Sequence, residues 1–168
     1  MKPFLILACL TALLGCQTGN QRVSQLYGGP DGMAALSTPD QVRAWRTISP
    51  LKLKRKPNLK TKGKLAEYFI LLGPVPVNPQ QSTAMATLLQ NSETYALEPK
   101  LCKFNPGVAI EYAKGTEKVL IFYCFACDSM AVYQNGKLRT KIEFDPGSKA
   151  LAEVIKHIFP DDAVIQKL

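Results

Sequence analysis

Apolar and polar positions follow two different periods along this chain, and the changes of period divide it into elements. From Leu36 to Ile48, Val42, Trp45 and Ile48 recur at helical spacing. Thr38 stands where a cap accepts an amide, Pro39 suits a first turn and Gln41 completes a Thr-x-x-Gln capping box, so the pattern predicts a helix stopped by Pro50. Leu65 to Leu72 is apolar on both faces through Tyr68, Phe69, Ile70, Leu71 and Leu72, which predicts an interior strand broken by Gly73, Pro74 and Pro76. Asn78, Pro79 and Gln81 repeat the helix-opening grammar; Met85, Leu88 and Leu89 give the buried stripe, and Asn91 closes the helix.

Beyond Asn91 the period becomes two. Tyr95 to Glu98, Val108 to Ala113, Lys118 to Phe125, Met130 to Tyr133 and Lys137 to Phe144 read as strands. Asn135-Gly136 marks a tight hairpin between the last two, because both residues tolerate positive φ. Ser148 caps a final helix in which Leu151, Val154, Ile155 and Ile158 share a face, and Phe159-Pro160 ends it ahead of a short tail. The order predicts an α+β fold, a mostly antiparallel sheet of four to six strands with about three packed helices.

The amino end has a different character. Lys2 precedes the apolar stretch Phe4 to Leu14, too short for a bilayer span of roughly 20 residues but suited to a secretory signal. Leu13-Leu14-Gly15-Cys16 resembles the lipobox of bacterial lipoproteins, although Leu14 is bulkier than is usual there. That resemblance implies cleavage before Cys16 and lipid on its sulfur; Gln17, not being aspartate, implies outer-membrane sorting in a double-membrane bacterium, facing the periplasm. Two or three acyl chains, each contributing about 0.8 kcal/mol per buried methylene, anchor a protein stably. The expected organisation is a signal peptide over 1–15, a flexible tether over 16–35 rich in Gly, Gln, Asn and Ser, and one α+β domain over 36–168.

The net charge of +8 is concentrated early: residues 16–66 hold ten Lys or Arg against Asp31 and Asp40, whereas residues 67–168 hold ten basic and eleven acidic side chains. Lys52, Lys54, Arg55, Lys56, Lys60, Lys62 and Lys64 form the densest part. Export and the lack of interleaved aromatic residues argue against a nucleic-acid partner. Beside a lipid anchor, the segment suits contact with anionic lipid at about 1 kcal/mol per well-placed charge, or equally serves as a solvated loop.

Three thiols remain in the body of the chain, Cys102, Cys124 and Cys127. In an oxidising compartment they are expected to be bonded or to hold metal, and an odd number leaves one over. A disulfide from Cys102 to Cys124 or Cys127 would pin the intervening loop and contribute about 3 kcal/mol. Cys124-Phe125-Ala126-Cys127 is formally a redox spacing, but it follows an apolar strand where such a centre wants a helix start. A Cys3His zinc site would recruit Cys102, Cys124, Cys127 and His157, the only histidine, against the plainer reading of His157 as a half-exposed helical residue.

Cys102-Lys103-Phe104-Asn105-Pro106-Gly107 followed by Tyr123-Cys124-Phe125-Ala126-Cys127 resembles a group of uncharacterised bacterial proteins, many of them exported, with a Cys-x-Phe-x-Pro and Cys-Phe-x-Cys pattern around a hairpin. Many of those carry a basic or histidine-containing insert where Pro106 here meets Gly107 directly. The resemblance implies a shared scaffold and supplies no activity.

No glycine-rich phosphate loop, paired-histidine metal motif, nucleophile elbow or internal repeat occurs. Glu67, Glu93, Glu111, Glu143 and Glu153 are scattered, so no catalytic residue emerges. The sequence therefore reads as a lipid-anchored envelope protein, a structural or interaction module whose partner is anionic lipid or another envelope protein. The alternatives are a thiol-disulfide redox protein using Cys124 and Cys127, and a zinc-stabilised binding module.

Overall fold

The computed structural model describes residues 19–96 and 98–168, so the expected signal peptide and Cys16 lie outside the described residues. Helices α1 (Gly19–Leu26) and α2 (Pro30–Ser37) precede strand β1 (Gln41–Ile48) and the short helix α3 (Pro50–Lys54). Strands β2 (Lys64–Leu65) and β3 (Tyr68–Pro76) lead to helix α4 (Pro79–Gln90). Strands β4 (Val108–Lys114), β5 (Glu117–Cys124), β6 (Ser129–Gln134) and β7 (Lys137–Glu143) form a meander that ends in helix α5 (Ser148–Ile158). All seven strands join one antiparallel, curled sheet in the order β2-β3-β1-β4-β5-β6-β7.

The α+β class agrees with expectation, but the sheet has more strands and the chain more helices, five, than the pattern suggested. The sheet buries both faces. One face carries Val42 and Ala44 of β1, Val108, Ile110 and Tyr112 of β4, and Val119, Ile121 and Tyr123 of β5, and it packs with Val23, Leu36, Met85, Leu89, Leu151 and Ile155 from the helices. The other face gathers Trp45, Tyr68, Phe122 and Tyr133 around the small side chains Ala109 and Ala131. Curling closes this second core: Tyr68 and Phe122 ring centroids approach to 4.7 Å, and the Tyr133 hydroxyl donates to Glu67 at 2.8 Å.

Burial on both faces explains the main correction. Residues 41–48 form a strand, not a helix, because Val42 and Ala44 serve one core while Trp45 serves the other. A doubly buried strand shows no alternation, so the i, i+3 recurrence of Val42, Trp45 and Ile48 imitated a helix.

The stretch 16–35 was expected to be a tether, yet residues 19–37 are two helices packed on the core. Val23 is 2% exposed, and Tyr27, Ala35 and Leu36 are fully buried. Pro30 occupies the first turn of α2, and Gly32 lies so close to the preceding turn that a Cβ there would meet the Tyr27 carbonyl oxygen at 1.8 Å. Few apolar residues are spread through this segment, but nearly all of them point inward.

Three smaller expectations also change. Strand β3 runs on through Gly73, Pro74 and Pro76; β2 pairs only with its first two residues, so its far side is largely an edge where proline removes no ladder bond. Among the described residues Tyr95, Ala96 and Glu98 lie in no strand: a 3-10 turn (Ser92–Thr94) precedes them and Ala96 makes an isolated bridge to Glu143. Ser148 is the first residue of α5, where its hydroxyl bonds Asp128 at 2.5 Å, and Gly147 takes the cap position. By contrast, the α4 capping box forms as expected, with the Gln81 amide donating to Asn78 Oδ1 at 2.8 Å and the Asn78 amide donating to Gln81 Oε1 at 3.1 Å. Asn135 and Gly136 likewise adopt φ of 49° and 79° in the β6–β7 hairpin.

Candidate functional site

The antiparallel register brings the end of β1, the start of β4 and the end of β5 to one end of the sheet, since Arg46 faces Val108 and Val108 faces Tyr123. The loop 102–107 crosses that end and is stitched down from several sides. Cys102 is disulfide-bonded to Cys127 with their Cα atoms 5.8 Å apart. The Thr47 hydroxyl donates to the Pro106 carbonyl at 3.1 Å, the Thr47 amide donates to the Gly107 carbonyl at 3.0 Å, and the Gly107 amide donates to the Tyr123 carbonyl at 3.0 Å. The Asn105 amide approaches the Cys124 sulfur at 3.3 Å, and Phe104 packs edge-on against Tyr68 in the second core.

Cys124 is a free, buried thiol, 1% exposed. The Cys127 amide donates to the Cys124 carbonyl at 3.1 Å, so these cysteines close a turn at the end of a strand and sit at no helix start. The turn therefore lacks the helix start at which a redox Cys-x-x-Cys sits, and Cys127 is already bonded to Cys102. His157 is exposed near the end of α5, where its carbonyl accepts from Gln81 Nε2 at 2.8 Å. Among the described residues, no three His, Cys, Asp or Glu side chains converge as a metal site, so the geometry does not assemble Cys102, Cys124, Cys127 and His157.

Beside the fastened loop stands the basic segment. Ser49 caps α3, accepting from the Lys52 amide at 3.3 Å, and its hydroxyl also bonds Asn105 Oδ1 at 2.7 Å, which ties the helix start to the loop. Lys52, Lys54, Arg55, Lys56, Lys60, Lys62 and Lys64 are all exposed. None of them joins an ion pair among the described residues, although the Lys64 ammonium lies 4.7 Å from the Phe69 ring centre.

Arg46, Asp162 and the carboxyl-terminal segment complete the site, and sequence patterning missed all three. Arg46 is 7% exposed; its guanidinium donates to the Gly107 carbonyl and pairs with Asp162 at 2.7 Å. Burial works against ionisation of Asp162, but Arg46 and the amides of Ile165 and Val164 outweigh it and hold the carboxyl below its ordinary range. Those two amides donate to Asp162 Oδ1 at 3.0 Å each and fold Ile165 back against the body, leaving Val164 exposed. The only advance signal was the apolar run Ala163-Val164-Ile165 directly after Asp161-Asp162 in what reads as a tail.

Together these parts enclose a cleft of about 350 Å³ lined by Lys52, Lys56, Leu59, Phe125 and Val164 among others. A wider groove of about 560 Å³ lies at the other end of the sheet beside Pro39, Pro74, Pro76 and Pro79. The charges there are already engaged, since Asp40 accepts from the Gly115 amide at 2.7 Å and Arg43 pairs with Glu111 at 2.6 Å. The cleft with unpaired lysines is therefore the stronger candidate. Its lining sets the cations of Lys52 and Lys56 beside the apolar side chains of Leu59, Phe125 and Val164. Compared with protein-family models, curated proteins and solved structures, the chain matches none.

Proposed function

We propose that this protein is a lipid-anchored, non-enzymatic module of the bacterial cell envelope, held to the outer membrane through Cys16 and presenting the cleft end of its sheet to anionic lipid. The observation that carries the reading is the arrangement of one end of the fold. Gly19, three residues beyond Cys16, abuts Ser92; the Ser92–Thr94 turn packs on the Asp145–Gly147 turn that follows β7. The chain thus enters the domain at the sheet end that also bears the disulfide-fastened loop and α3. Three residues span at most about 11 Å, so an anchor at Cys16 keeps this end near the bilayer, within range of surface charge. Seven cations without ion-pair partners then add about 1 kcal/mol each where they reach the lipid surface.

Labelled fatty acid should enter the membrane-bound protein, and Cys16→Ser should abolish that labelling and release the chain from the outer-membrane fraction. In anionic vesicles at low salt, the anchored protein should show Lys52, Lys54, Lys56 and Lys60 protected from amine-reactive reagent. Protection should fade as salt rises and be missing in zwitterionic vesicles; equal modification in both vesicle types contradicts the membrane-facing orientation.

A further inference from the structure

We propose that the cleft between α3, the loop 102–107 and the carboxyl-terminal segment binds a long-chain fatty acid, its carboxylate held by Lys52 and Lys56 and its tail lying among Leu59, Phe125 and Val164. The two lysines are four residues apart, and the amides of Arg55 and Lys56 continue the helical turn by donating to Lys52 and Leu53 carbonyls, which sets both side chains on one side. Arg46 also lines the cleft, but Asp162 neutralises it, so the charge available to a ligand is that of the two lysines.

The apolar wall is unusual in its exposure. Among the described residues, seven large apolar side chains stand well exposed, and three of them, Val164 at 65%, Leu59 at 39% and Leu168 at 38%, line this one cleft. Apolar surface concentrated beside unpaired cations is complementary to an anion with a hydrocarbon tail. The volume of about 350 Å³ is near the lower end for ligand sites, which admits one acyl chain and not the paired chains of a phospholipid. A peptide is disfavoured along the loop wall, where the backbone is already engaged: the Gly107 carbonyl is taken by Arg46 and Thr47, the Pro106 carbonyl by the Thr47 hydroxyl, and the Gly107 amide by Tyr123. The inference shares its site with the proposed function but not the anchor, so failure of lipidation at Cys16 leaves it standing.

The test is photo-crosslinking of the full chain in its membrane with a diazirine-bearing fatty acid, a phosphatidylglycerol carrying the same diazirine chain, and a neutral diazirine alcohol, each followed by peptide mapping. The fatty acid should label peptides containing Leu59, Phe125 or Val164, saturably and with competition by unlabelled hexadecanoate. K52E/K56E, both at exposed positions, should lower labelling about tenfold, and V164D should lower it by a similar factor, whereas K118E/K137E, exposed at the opposite end of the sheet, should leave it unchanged. Non-saturable labelling overturns the proposal. Equal labelling by the alcohol, stronger labelling by the phospholipid, crosslinks between two copies of the chain, or indifference to K52E/K56E does the same. Lysine protection on anionic vesicles is read separately, so loss of that protection with cleft labelling intact rejects the membrane orientation alone.

Discussion

Arg46 and Asp162, 116 residues apart in sequence, form a 2.7 Å ion pair that fastens the last segment of the chain to the interior strand β1. Arg46 is nearly buried, so removing its partner strands a charge. Asp162→Asn should destabilise by about 3 kcal/mol, the lower part of the range for a broken buried pair, because the Asp162 side chain keeps 19% exposure. The folded-state pKa of Asp162 is depressed, so its contribution is present above the ordinary carboxylate range and lost as pH falls through the folded value. Urea unfolding from pH 6 down to pH 2 checks this: part of the acid loss seen in the native protein should be missing from Asp162→Asn.

The disulfide between Cys102 and Cys127 closes 25 residues and holds the cleft wall. Reductant should lower stability by about 3 kcal/mol, and Cys102→Ala should lose the same amount with no further response to reductant. Cys124→Ala should keep the full reductant response. Denaturant midpoints with and without dithiothreitol report all three.

Tyr27 fixes the leading helices, fully buried and hydrogen-bonded through its hydroxyl to that of Tyr95. Tyr27→Ala should cost about 3 to 5 kcal/mol, as deletion of a buried aromatic side chain does. A freely hanging tether would lose nothing, so equilibrium unfolding separates the two.

Every one of the six tyrosines holds its pKa above the ordinary value of 10, burial being the leading cause in each. Because the folded values are raised, this contribution to stability is complete below pH 10 and is lost as pH climbs toward them. Absorbance titration near 295 nm should show no tyrosine ionising with an ordinary pKa. One steep wave should appear at higher alkalinity, coincident with loss of secondary structure by circular dichroism.

What the sequence disclosed depended on whether a signal was local. Asn78 with Gln81, and Asn135 with Gly136, act within three residues of themselves, and both formed as the pattern implied. Residues 41–48 depended on two cores assembled from distant strands, and no window around Trp45 contains that information. Val23 and Tyr27 were hidden in the same way, as single apolar residues among polar ones whose partners, such as Tyr95, lie far along the chain. At the candidate site, the basic run and the cysteines were visible as residues. Their convergence was not, since it rests on Ser49 meeting Asn105 and on Arg46 reaching Asp162.

Cys102 and Cys127 serve as a fastening, with Cys124 left as a buried thiol and no redox couple formed. The most direct measurement is a non-reducing peptide map of protein from the membrane fraction, alkylated before and after unfolding, with fragmentation of any crosslinked species. The result expected is the peptide ending at Lys103 linked through Cys102 to Cys127, with Cys124 alkylated only once the protein is unfolded. A Cys124–Cys127 bond with Cys102 free would contradict it.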